Sequence, residues 1–358
     1  MNNNIMNITN AGEYNFNADS TIKNGVSLDA RNRRLLITSL NHKLTINGNI
    51  VANGTGSGDI NSLFTTKGII IQTGSLDVKG EINTTGYGGW DSRTTISLLD
   101  QNGTNSFNKV YTHTGTNVII SNGTTTIQEL ESFNYGINNS GRNYIIGESG
   151  ALTINHVLSN HGSYNIIGVG YKSNAPTSAI TFNSSRSTDT NTPASLKITT
   201  MEAKNDAYGG GHNQIFLKGN SKAEIETVTS HDLGQHTFTL GEAPTSSTSR
   251  TDSSPTLKIT TLRTYSSKWG EGHNTITAYT GNVEIKDVLS ENALNTITIK
   301  NASLNITGTL SARWTEWGGA GKNVITLEDS QATINNVSVR GHTDKANQIT
   351  LKGVVRLQ

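Results

Sequence analysis

The residues able to do chemistry are few, and their spacing argues against a shared task. Hydrolysis of a glycosidic bond needs two carboxylates at a set separation. The chain offers Asp77, Glu224 and Glu284, each between two aliphatics in its own segment, and Lys197 and Lys258 take the same place elsewhere. These positions are spread along the chain and mixed in sign, as expected of a solvated outer face. There are 9 histidines and no cysteine, with neither His-x-His nor His-x-x-x-His, so metal-ligand spacing is missing. His212 and His273 share a phase and read as turn residues two or more coils apart. Gly54-Thr-Gly-Ser-Gly58 lacks the Gly-Lys-Ser/Thr ending of a phosphate loop. No carboxylate-rich calcium loop and no Gly-x-Ser-x-Gly elbow followed by a helix appears. The expectation is a non-enzyme without metal or cofactor.

The elements that carry these residues repeat. One row reads Asn-x-aliphatic, as in Asn143-x-Ile145, Asn165-x-Ile167, Asn213-x-Ile215, Asn274-x-Ile276, Asn295-x-Ile297, Asn323-x-Ile325 and Asn347-x-Ile349. A second reads Leu44-x-Ile46, Leu76-x-Val78, Leu152-x-Ile154 and Leu196-x-Ile198. It continues through Ala223, Leu257, Val283, Leu304 and Ala332, each two residues before an isoleucine. A third short strand follows, marked by residues such as Ile50, Ile82, Val157, Met201 and Leu310. Alternation of aliphatic and polar residues is strand periodicity, one side in and one side out. Three short strands per repeat, recurring at one phase, describe a coil of an all-β solenoid, the parallel β-helix. The count predicts about 13–14 rungs and a rod of ~60–65 Å at ~4.8 Å per rung. The recurring asparagines predict a ladder of stacked side-chain amides serving the turns. Residues 1–39 read as first rungs or cap, and 40–358 as the repeats.

Composition agrees. Hydrophobic residues are 33% and charged residues 15%, both low for a globular domain. Net charge is +1 and Lys and Arg are scattered, so nucleic acid is not an expected partner. Only 4 prolines interrupt 358 residues, as long ladders require. Neither a signal peptide nor an apolar stretch of membrane-spanning length is visible.

The interruptions are where binding is expected. Gly-rich turns with an aromatic precede the first strand: Tyr87-Gly-Gly-Trp90, Tyr208-Gly-Gly-Gly-His212, Trp269-Gly-Glu-Gly-His273 and Trp317-Gly-Gly-Ala-Gly321. Either the rings cap the core and the glycines permit positive φ, or the rings form an exposed platform. Trp90, Tyr208, Trp269, Trp314 and Trp317 are the binding candidates. Ser/Thr-rich insertions near 175–195 and 241–256 break the repeat, and the core-poor stretch 242–255 joins the candidates.

Runs such as Asn295-Thr-Ile-Thr-Ile-Lys-Asn-Ala-Ser-Leu-Asn-Ile-Thr-Gly308 and Asn323-Val-Ile-Thr-Leu-Glu-Asp-Ser-Gln-Ala-Thr-Ile-Asn-Asn336 resemble passenger repeats of bacterial autotransporters. They are most similar to the outer-membrane proteins related to vacuolating cytotoxin, over about residues 40–358. The resemblance implies a right-handed β-helix, exported through a C-terminal translocator barrel to the outer membrane and displayed at the cell surface. It also implies adhesion or host colonisation, with a host receptor or glycan as partner. No such barrel is present in this chain, and no apolar Gly-xxx-Gly stretch, so pore formation is not carried over. A toxin-like subunit, a self-associating module and a carbohydrate-active enzyme are the competing expectations.

Overall fold

The computed structural model describes residues 8, 10–29, 33–54, 68–86, 92–134, 141–171, 194–206, 209–243, 254–267, 272–314, 321–341 and 346–357. Among them all regular structure is strand, and the strands stack into a parallel β-helix. The first row climbs through Gly12–Asn15, 34–39, 68–73, Arg93–Leu98, Thr116–Ser121, Arg142–Gly147 and Tyr164–Val169. It goes on through His212–Leu217, Gln235–Leu240, His273–Ala278, Leu294–Lys300, Lys322–Glu328 and Asn347–Lys352, thirteen strands paired parallel throughout. The predicted rung count is therefore met. Strand Arg34–Ile46 runs through residue 40 without a break.

The second and third rows are not separate strands over most of the rod. From Thr104–His113 onward each coil carries both rows in one long strand, such as Thr124–Phe133, Ala151–Asn160 and Thr256–Tyr265. The ladder skips one residue at the bend between them, Gln128 against Asn155 and Glu226 against Thr260. The predicted aliphatics lie in register: Leu152 on Leu196 on Ala223 on Leu257, and Val157 on Met201 on Val228 on Leu262. One continuous cluster runs from Ile8 to Ala332, its members almost all fully buried. Each coil roofs the one below, so each buried Leu or Ile contributes on the order of 1.5–3 kcal/mol only because its neighbour coil is present.

Two coils sit where the pattern was not read. Asn105 and Thr125 occupy the leucine position of the second row, and Phe107 and Ile127 the isoleucine position. Asn105 is buried but satisfied: its Oδ1 accepts from the Leu76 amide at 2.9 Å and its Nδ2 donates to Thr125 Oγ1 at 3.1 Å. A buried polar group with partners costs little, which is why the core tolerates it.

Candidate binding surface

The asparagine row forms the predicted ladder. Nδ2 of Asn117 donates to Oδ1 of Asn143, Asn143 to Asn165, and Asn165 to Asn213, all at 2.8–2.9 Å. Asn274, Asn295, Asn323 and Asn347 continue it at 2.7–2.9 Å. The other Nδ2 proton of each amide crosses to the end of the third row, bonding the carbonyls of Glu131, Leu158, Glu202, Arg263 and Leu289 in turn. The amides thus clamp one corner of the coil. Asn117 belongs to the ladder although it was not read from the Asn-x-Ile pattern, which Asn117-x-Ile119 satisfies. At residue 236 a histidine replaces the amide.

The described strand ends on either side of the aromatic turns lie at that corner. From Arg93–Leu98 onward the residue just before each first-row strand is small and buried, among them Gly115, Gly141, Gly211, Gly234, Gly272 and Gly321. None of these six has positive φ, so backbone freedom is not what selects glycine at this place. A Cβ on Gly211 would lie 2.2 Å from the Ser159 carbonyl oxygen, and one on Gly234 would lie 2.1 Å from that of Ala203. Close approach of stacked backbone is what demands glycine here. Gly209, two residues earlier, does have φ +123.

Trp90, Tyr208, Trp269 and Trp317 lie outside the described residues. Trp314 lies within them, at this corner, 38% exposed, its amide donating to the Arg340 carbonyl at 3.0 Å. Beneath it Glu291 takes Arg263 at 2.7 Å and Arg313 at 3.6 Å, and the Arg263 guanidinium lies 5.7 Å from the centre of the Tyr265 ring. Lower on the same edge Phe133 packs between His113 and His161, with centroids 5.3 and 4.3 Å away. Burial pushes the His113 imidazole below its usual range. Sequence reading missed these rings because none lies in a Gly-rich turn. Their shared signal is position, at or just past the end of the third row.

The second insertion corner joins the first row to the second. The stretches 175–195 and 241–256 fall largely outside the described residues, but their flanks, Tyr171 with Ala194 and Glu242 with Pro255, are described. Between them Lys218 is buried, ion-paired with Glu242, and 4.6 Å over the Tyr171 ring. Burial first, then the Glu242 charge, drives the Tyr171 hydroxyl far above the ordinary phenol range.

The carboxylates are placed closer than their sequence spacing implied. Lys197, Glu224, Lys258 and Glu284 occupy consecutive coils in one column, alternating in sign, with Lys258 3.0 Å from Glu284. Burial alone would raise the Asp77 carboxyl, but hydrogen bonds from Lys79 and Ser106 and the charges of Lys79 and Lys43 hold it below its usual range. For Glu202 the His156 imidazole is the largest influence, opposed by burial and reinforced by Lys204 at 2.6 Å, and the carboxyl falls to about 2. Gln235 stands between His212 and His273 in the ladder, so the two imidazoles are two coils apart, as their phase implied. His212 instead stacks on Tyr164 at 4.6 Å. Among the described residues no group of three or more His, Cys, Asp or Glu could hold a metal ion.

Fold and surface together define a β-solenoid protein whose insertions are flanked by strand ends at two corners. No family model matches the chain, and no curated protein or solved structure matches it either.

Proposed function

We propose that this chain is part of an autotransporter passenger, displayed at a bacterial surface, that attaches to a host-cell receptor or glycan. The observation that carries the reading is the placement of the interruptions. A continuous core supplies a stiff rod of about 60 Å, and the described strand ends that flank the aromatic turns lie at the amide-clamped corner, where Trp314 and its arginine neighbours are exposed. Binding groups held on a rigid scaffold lose little entropy on contact. The Asn295 and Asn323 runs resemble passenger repeats of autotransporters, which supports a location outside the cell in this reading.

The test is binding of the fluorescently labelled chain to cultured epithelial cells, read by flow cytometry, with a glycan array beside it. Saturable binding that Trp314→Ala weakens at least tenfold is the expected result. Failure to bind either cells or glycans overturns the reading.

A further inference from the structure

The outward side of the first row divides in two. In the coils from Arg93–Leu98 to Tyr164–Val169 its two central positions are apolar or small, and several are buried: Val118 and Ile166 in one column, with Ile70 below them, and Ile120 and Ile146 in the next, none more than 9% exposed. From Gln235–Leu240 onward the same two columns turn to threonine. One reads Thr239, Thr277, Thr298, Thr326 and Thr350, and the other begins Thr237, Thr275 and Thr296 before Val324 and Gln348. The register through these five coils has no shift. The threonines are half-buried, with Thr350 exposed, and neither column holds a charge.

We propose that this threonine face packs against the same face of a second copy of the chain. Methyl and hydroxyl groups repeat every ~4.8 Å along the rod. A surface that meets them at every coil must repeat at that distance, and another parallel coil stack does so by construction. Identical side chains on flat paired sheets interdigitate well. At the margin Lys300, Glu328 and Lys352 alternate in sign. A two-fold axis lying across the rod between the first two of these coils sets Lys300 of one copy opposite Glu328 of the other, and such self-complementarity is what a closed dimer needs. Four coils then overlap, giving an area of ~20 by ~20 Å. That buries about 800 Å² in all, under the ~1,200 Å² of a stable interface. The association is therefore weak and concentration-dependent. It requires no receptor, so it stands or falls independently of the attachment reading.

Sedimentation velocity of the full chain from about 5 to about 500 µM spans the range of a weak dimer. The sedimentation coefficient is expected to rise towards that of a dimer. Thr277→Lys with Thr298→Lys abolishes the rise, Thr298→Val keeps it, and Thr260→Lys, exposed on a different face, leaves it unchanged. Circular dichroism and melting establish that each variant folds; if the paired variant does not, Thr326→Lys serves in its place. A chain that stays monomeric throughout overturns the proposal, and so does association that survives lysine on the face.

Discussion

Nδ1 of His236 lies 3.4 Å from Nδ2 of Asn213, so the ring accepts there, while its Nε2 donates to the Thr229 carbonyl at 3.0 Å. Nothing on the imidazole remains to donate upward. The buried Oδ1 of Asn274, in the next coil, has no hydrogen-bond partner. One residue thus breaks an otherwise continuous amide ladder. His236→Asn should restore it, giving Asn274 a donor and raising stability by about 1 kcal/mol. The urea midpoint measures this, and a lower midpoint than the parent's contradicts it.

Acid should find the same joint. Burial, the largest influence, holds His236 at about 4 against the ordinary imidazole value of 6.5, with the Thr229 hydrogen bond opposing and the charges of His231, Glu202 and His212 contributing less. The unfolded chain therefore binds the proton at higher pH than the folded one. Stability from this group is complete above pH 6.5, falls as pH drops from 6.5 towards 4, and is level below. The full loss is on the order of 3 kcal/mol. Urea midpoints across that window should slope less in His236→Asn than in the parent; equal slopes would remove His236 from the account.

Asn295→Ala removes two donations, to Asn323 Oδ1 at 2.8 Å and to the Leu289 carbonyl at 3.0 Å, and the acceptor for Asn274. Stranding buried polar groups at a clamped corner costs about 2–4 kcal/mol. Hydrogen exchange should accelerate most in the strands His273–Ala278 to Lys322–Glu328, since solenoid coils open locally. Uniform acceleration over the whole rod would argue against a corner clamp.

The glycine column offers a paired comparison. Gly211→Ala drives a methyl against the Ser159 carbonyl, whereas a Cβ on Gly209 meets nothing within 4 Å. Gly211→Ala should lower stability by at least about 2 kcal/mol. Gly209→Ala should cost about 1–2 kcal/mol from its positive φ alone. Thermal melting orders the two, and a reversed order would show that backbone angle governs the corner.

Much of this fold was legible in the chain. The leucine, isoleucine and asparagine rows recur at one phase, and their residues stack as that phase implies. What escaped reading was wherever polarity and position conflict. Asn105 and Thr125 hide two coils because their burial depends on hydrogen bonds from other coils. Asn-Val-Ile-Ile at 117–120 reads as a strand with one inward side, yet Val118 and Ile120, on the outward side, are buried too. The glycines before six of the first-row strands advertised a turn but not its reason. Of the five aromatic candidates, Trp314 alone falls in the described residues.

The sequence by itself determined the coil and its stacking, because each coil buries its aliphatics only on a neighbour carrying the same residues at the same phase. Tertiary structure decided what lies around that stack. It brought Lys197, Glu224, Lys258 and Glu284 into one alternating column, set His236 under Asn274, and aligned five coils of threonine on one open side. The neighbours of an outward side chain come from coils some twenty or more residues away in this chain, with insertions of unequal length between, and only the folded stack sets which of them meet.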